Sequence, residues 1–336
     1  MNTKRSLTLA GALGGLVLFT YAVRRAGVGE IVDGVGRVGW GLVPILLIAG
    51  LRFVLRAEAW RLCTPAGARL PLLRALMVFL AGDAIGNVTP LGLIASEPTK
   101  VFLIRHHLAT RESVTSLALD NVVYIGSIIL IVAVGVVVML ANVPLSFEWR
   151  EWSIAILAAL ALVSVVGIRV FRNGLGWGAG AESKDLVRSA TLRHTIATLR
   201  ASMLEFSAGH PMRLWRALIV DMGFHGLAVF EAYLTLRWLL GSRAPTFTEA
   251  LLFEVLNRVV TVVFKFVPFR VGVDEAASGA FAPLLAVSST AGVALAVIRK
   301  VRNLFWSGIG LALIAAYHGQ AAPATDRRET VPAHRT

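Results

Sequence analysis

Charged and polar side chains recur at helical spacing inside runs of sequence that are otherwise apolar, and these are the residues equipped for chemistry. Between Val114 and Leu140, Ser116, Asp120, Tyr124 and Ser127 follow steps of four, four and three, which places them in one stripe on a helix. Between Ala291 and Tyr317, Arg299 and Arg302 share a face with Trp306, and Lys300 lies beside them. Glu254, Arg258, Thr261 and Lys265 repeat the pattern between Ala250 and Phe269. A charge at the centre of a bilayer costs about 2.5 to 3.5 kcal/mol on insertion scales, so such stripes must face one another or a cavity.

Two chemistries fit these stripes. One is ion pairing that fixes helix packing, with Glu254 and Arg258 at i,i+4 as a local pair and Asp120 as a partner for Arg299. The other is recognition of an anionic headgroup. Arg258, Lys265, Arg299, Lys300 and Arg302 outnumber the acids near them in sequence, and arginine presents a planar fork to phosphate. Only Lys4, Lys100, Lys184, Lys265 and Lys300 are lysine among the 33 basic residues.

Other chemistries lack their residues. Cys63 is the only cysteine, which excludes an intramolecular disulfide and a cysteine-based zinc or iron–sulfur cage. His106 and His107 are adjacent, point to different faces of a helix and make a poor metal site; no metal and no cofactor is expected. Neither a serine elbow nor a His-Glu-x-x-His pair is present, so the reading is a protein without covalent chemistry. Gly174, Gly176, Gly178 and Gly180 follow no strand and precede no Lys-Ser/Thr, which makes them a linker rather than a phosphate loop.

The elements that carry the stripes must lie in lipid. Of the 336 residues 56% are hydrophobic and only 16% charged, against about 25% charged in a soluble fold. The mean hydropathy is +0.72. Net charge is +13, and the basic residues sit between apolar runs, so anionic phospholipid is the expected partner and nucleic acid is not. Six stretches are apolar enough to cross: 7–23, read as a retained anchor, then 39–55, 114–140, 152–170, 216–240 and 291–317. Two further stretches break. Leu72 to Ala95 contains Asp83, Asn87, Pro90 and Gly92, with Arg56, Arg61, Arg69 and Arg74 before it and Lys100, Arg105 and Arg111 after it. If positive charge marks the cytoplasm, both ends lie on one side, and a re-entrant hairpin satisfies that where a crossing does not. Ala250 to Phe269, broken at Pro268, is read the same way. The fold class is therefore an all-α polytopic membrane protein, with about six transmembrane helices plus two re-entrant broken hairpins.

The chain reads as one integral membrane domain over 1–336. A shift of 178 residues brings Trp60 onto Trp238, Pro90 onto Pro268 and Glu97 onto Glu275, and lays one span, hairpin and polar-faced span over another. The halves, 39–140 and 216–317, should run in opposite senses, an inverted repeat of the kind transporters use. The basic connection 172–215, with an interfacial helix over 182–206, and a flexible tail at 319–336 are placed in the cytoplasm with both termini.

The segment VTPLGLIASEPTKVFLIRHH resembles the first signature of the lysylphosphatidylglycerol synthase transmembrane, flippase-like family, and VPFRVGVDEAASGAF with the downstream VIRKVRNLFW resembles the second. LRAEAWRLC looks like the basic-aromatic segment after that family's second helix. Ala95-Ser96 stands where the family has Gly-Gly, Arg270 where it has Gly after the proline, and Asn121 where it commonly has Arg. The resemblance is to a stand-alone member without a synthase domain, in the bacterial cytoplasmic membrane. It implies translocation or binding of an anionic or modified phospholipid, a glycolipid or a hopanoid in a central cavity, with a separate lipid-modifying enzyme as a possible partner. On that reading Glu97, Glu275, Asp120, Arg299, Arg302, Arg258, Lys265, Asn87 and Asp83 meet the substrate. Pro90, Gly92, Pro268 and Gly272 break the hairpins, and Arg56, Trp60, Arg61 and Lys100 lie at the interface. The rival expectations are a membrane-embedded headgroup transferase subunit and a non-transporting scaffold.

Overall fold

A computed structural model describes residues 36, 38–65, 67–68, 70–89, 92–173, 186–241, 243–265 and 267–320. The expected anchor 7–23, Pro90, the glycine linker 174–180 and residues 321–336 lie outside the described residues. All regular structure among the described residues is helical. Ten α-helices follow in order: α1 Leu42–Leu62, α2 Leu72–Val88, α3 Gly92–Ile104, α4 Thr110–Asn142, α5 Phe147–Asn173, α6 Leu186–Gly209, α7 Pro211–Leu239, α8 Phe247–Val263, α9 Val273–Phe281 and α10 Ser289–Gln320.

Local chemistry fixes several of these boundaries. Thr246 Oγ1 accepts from Glu249 N at 3.1 Å while Thr246 N donates to Glu249 Oε2 at 3.1 Å, a capping box that starts α8. Pro211 opens α7, where its missing N–H would have had no partner in any case. Among the described residues, four helical stretches are long and apolar enough to cross a membrane: Gly39–Leu62, Thr110–Asn142, Phe147–Asn173 and Pro211–Leu239. α10 is equally long, but Arg299, Lys300 and Arg302 interrupt its apolar character.

α1 and α7 pack antiparallel along their length. Arg52 meets Glu231, Arg56 meets Asp221, and Gly41 lies so close under the Trp238 ring that a Cβ would come within 2.7 Å of it. α2 and α3 form an antiparallel hairpin in which Gly92 approaches Gly86 and Lys100 crosses Gly82. α8 and α9 form the second hairpin, closed by Phe253 against Phe281 at 5.9 Å between ring centroids. The long last helices then cross over: α10 packs on α2, and α4 on α8. Gly310 and Gly135 permit those close approaches. Val88 at the end of α2, Phe269 in the turn of the second hairpin and Leu304 midway along α10 form one small apolar cluster, so the hairpin tips meet inside the bundle.

α6 lies across one end of the bundle, where Met203 packs with Cys63, Leu119 and Ala217. The basic connection is therefore partly docked: Arg200 Nη1 donates to Arg172 O at 2.9 Å and Arg111 Nη2 to Ser202 Oγ at 3.1 Å.

Candidate functional site

The polar stripe of α4 faces inward, and each member has a partner. Ser116 Oγ accepts from Trp60 Nε1 at 3.1 Å, Asp120 Oδ2 from Arg56 Nη2 at 2.7 Å and Tyr124 OH from Arg258 Nη1 at 3.1 Å. Ser127 Oγ lies 3.0 Å from His225 Nε2. Arg56 also donates to Asp221 Oδ1 at 2.5 Å, so one guanidinium bridges two buried carboxylates from α4 and α7. Its Cζ sits 4.1 Å from the centroid of the Tyr124 ring.

Two more carboxylates each collect a pair of arginines. Glu231 accepts from Arg52 Nη1 at 2.7 Å and pairs through its other oxygen with Arg302. Glu254 accepts from Arg258 Nε at 2.7 Å and from Arg299 Nη2 at 3.2 Å, while Arg299 Nη1 also reaches Phe253 O at 3.3 Å. Phe224 links the groups, with Arg52 4.6 Å and Arg258 5.0 Å from its ring centroid. All nine charged members are buried. Burying an ion pair is favourable only where geometry and added hydrogen bonds offset desolvation, and the doubly bonded carboxylates meet that condition.

The local pair Glu254–Arg258 forms as its spacing predicts. Asp120, by contrast, pairs with Arg56 rather than Arg299, because α10 presents Arg299 to α8 and not to α4. The cationic excess seen in the sequence is mostly neutralised by Glu254, which takes Arg258 and Arg299, by Glu231 of α7, which takes Arg302, and by Glu275, which takes Lys300.

The hairpin residues form a second group. Glu275 caps α9 by accepting from Gly272 N at 2.9 Å, and its other oxygen pairs with Lys300. Glu97 pairs with Lys100 at 2.9 Å within α3, and Lys100 Nζ lies 4.2 Å from the centroid of the Phe79 ring. Asp83 accepts from Asn87 Nδ2 at 2.8 Å, and Asn87 reaches Ser307 of α10 at 3.4 Å. Lys265 is exposed where α8 ends. Pro268 starts the second turn and Gly272 sits in the left-handed region at φ +82°, as hairpin breaks should, while a Cβ on Gly92 would lie 2.2 Å from Gly86 O. Of the residues expected at the interface, Arg56, Trp60 and Lys100 are buried inside the bundle, and only Arg61 opens to the surface. The reason is length: α1 continues to Leu62, beyond the expected end of the span, and carries Arg56 and Trp60 inward with it.

The sequence reading passed over Arg52, Asp221, His225 and Glu231. Arg52 and Arg56, like Asp221 and His225, stand four apart within apolar runs, and that spacing was the available signal.

Apolar helices long enough to cross, packed around an interior of arginine–carboxylate pairs, define an integral membrane protein with a polar centre. Within that class, residues 7–310 match the family described as the lysylphosphatidylglycerol synthase TM region, and the chain belongs to that family. Membership ties it to membrane-lipid function. No curated protein and no solved structure matches the chain.

Proposed function

We propose that the protein carries lipid between the leaflets of the bacterial cytoplasmic membrane, or holds it there, by gripping an anionic or modified headgroup without covalent chemistry. The observation that carries this reading is the central network. Arg52, Arg56, Arg258, Arg299 and Arg302 face Asp120, Asp221, Glu231 and Glu254 across α1, α4, α7, α8 and α10. Five against four leaves one positive charge, which suits a phosphodiester. Static packing does not require such a network, since well-packed apolar residues in place of a buried ion pair are often neutral or stabilising. The pairs are also exchangeable. A phosphate reaching Arg299 and Arg302 replaces Glu254 and Glu231 with a partner of matching fork geometry.

The order of elements supports a transport reading. α1 to α4 and α7 to α10 each run long helix, short arm, short arm, long helix, and the same helix pairs touch when the two units are exchanged, though to different extents. We read this as an inverted repeat with α10 as a crossing and both hairpins re-entrant, their tips meeting beside Leu304. Arg61, Arg105, Arg111, Arg172 and Arg213 gather at one end, which we assign to the cytoplasm together with both termini.

In proteoliposomes with headgroup-labelled phospholipid, the protein should accelerate exchange between leaflets. Arg302→Lys keeps the charge but loses the fork, and should slow exchange about tenfold while the protein stays folded. Lipid that co-purifies without exchanging would leave only the binding role. Product formed in the presence of a group donor would point instead to a transferase subunit, and unchanged rates in Arg299, Arg302 and Glu231 variants would mark a scaffold.

A further inference from the structure

A pocket of about 460 Å³ opens where α1 ends, at the basic end of the bundle and away from the central network. Its wall includes Glu58, Arg61, Thr64, Leu70, Pro71 and Arg213, contributed by α1, the α1–α2 connection and the first turn of α7. The volume lies within the range of small-ligand sites.

The pocket is built rather than incidental. Arg61 Nε donates to Leu70 O at 2.8 Å, which ties the α1–α2 connection to the helix. Arg61 O accepts from Thr64 Oγ1 at 2.7 Å and from Arg213 Nη2 at 3.1 Å, so Arg213 is oriented by the last turn of α1. These bonds leave Arg213 Nη1 and Nε and one arm of Arg61 open to a ligand. Arg213 has no carboxylate partner among the described residues. Glu58 accepts from Arg61 Nη1 at 2.5 Å, and both side chains are 35% exposed, an ion pair that a ligand can open.

Among the described residues, two guanidiniums and one carboxylate around a single opening select a ligand by charge. A bare phosphate meets Arg61 and Arg213 but is repelled by Glu58, and a bare amine has the opposite difficulty. A group with a phosphodiester on one side and a primary ammonium on the other satisfies all three. A quaternary ammonium has no N–H to donate and is held by aromatic rings, and none lines the pocket among the described residues. On the outer face of α7, Met212, Trp215 and Ile219 are more than 60% exposed at spacings of three and four, a surface for acyl chains beside the opening.

We propose that this pocket binds the headgroup of a phosphate-plus-primary-amine lipid, such as phosphatidylethanolamine, as a site separate from the central network. The site goes beyond the transport reading and stands without it. Native mass spectrometry of the full-length protein, offered equal amounts of phosphatidylethanolamine, phosphatidylcholine and phosphatidylglycerol, should show the ethanolamine lipid retained in preference. Arg213→Gln should lower that retention about tenfold, the value of one charge-assisted hydrogen bond. Glu58→Gln removes the repulsion of a bare anion, so it should shift preference toward phosphatidylglycerol, a change that loss of fold does not produce. Glu58 is partly exposed and its partner is a neighbour on the same helix, so this variant carries the test even if Arg213→Gln fails to fold. Arg302→Lys should leave the preference intact, which separates this site from the central one. Soluble phosphoethanolamine that displaces the lipid at equal concentration would overturn the lipid source, and equal retention of all three lipids would overturn the site.

Discussion

The two hairpins share a plan and differ in how their charges are tied. In the first, α2 and α3 hold each other: Glu97 pairs with Lys100 on the same helix, Asp83 bonds Asn87 one turn away, and the glycines bring the arms together. In the second, the charges reach outward. Glu254 pairs with Arg299 and Glu275 with Lys300, so α8 and α9 are both fastened to α10. The first hairpin is a self-contained pin, whereas the second is a part of the α10 assembly. If the molecule alternates between states, the second hairpin and α10 should move as one body. Among the described residues the first shows no ion pair to that helix and meets it through the Asn87–Ser307 bond and a close seam where Gly310 lies against Leu80.

The largest effect should come from cutting the fastening of the second hairpin. Glu254→Gln keeps the shape but leaves Arg258 and Arg299 buried without their anion, and removing one partner of a buried pair costs about 3 to 5 kcal/mol. Thermal unfolding in detergent should fall sharply or the protein should fail to accumulate. Asp83→Asn removes a carboxylate that has no cation partner among the described salt bridges, and should cost less than about 1 kcal/mol. Equal losses would erase the distinction between the hairpins.

An intermediate effect tests the crossing of the long helices. A Cβ on Gly310 would lie 2.3 Å from Leu80 O, a backbone atom of α2, whereas a Cβ on Gly135 would lie 2.3 Å from Val255 Cγ2, a side-chain atom of α8. Overpacking of this kind costs about 1 to 3 kcal/mol. Both Gly310→Ala and Gly135→Ala should lower the melting temperature, but only the second should be rescued by adding Val255→Ala. Rescue of Gly310→Ala by Leu80→Ala would show that the first hairpin yields at its backbone and is not the rigid pin described.

Much of this arrangement was legible before any coordinates. Composition fixed the membrane class, the stripe through Asp120 and Tyr124 is the inward face of α4, and Pro268 with Gly272 marks the second turn. What escaped was pairing between distant segments. Nothing local says that Arg56 bridges Asp120 and Asp221, or that Glu231 collects Arg52 and Arg302, because those distances depend on α1 lying antiparallel to α7. In the sequence Arg56 reads as a flanking charge, since an apolar run stops at Leu55, yet the helix goes on for two more turns. Where a buried charge finds its counterion on another helix rather than one turn away, as in the Glu254–Arg258 pair, a single sequence shows the charge without its partner.

The smallest effect concerns the tip of the second hairpin, where Phe269 and Arg270 both have φ near +48° and Gly272 has φ +82°. The left-handed region costs an L-residue about 1 to 2 kcal/mol relative to glycine. Phe269 is buried in the apolar cluster with Val88 and Leu304, so its strain is offset by the surface it covers. Arg270 has less to set against the same cost. Its Nε donates to Asp274 Oδ1 at 3.0 Å and to Oδ2 at 3.2 Å, and Asp274 is buried, so losing this pair costs more than losing an exposed pair on a helix face. Arg270→Gly relieves that strain but leaves the buried Asp274 without its cation, and glycine adds entropy to the unfolded chain. These opposing effects should leave the variant within about 1 kcal/mol of the native protein. Arg270→Ala loses the pair and keeps the strain, so it should be slightly destabilised. Both variants lose the pair, so a glycine variant more stable than the alanine one would locate the strain at this peptide, and an alanine variant as stable as the glycine one would show that the left-handed turn stores none.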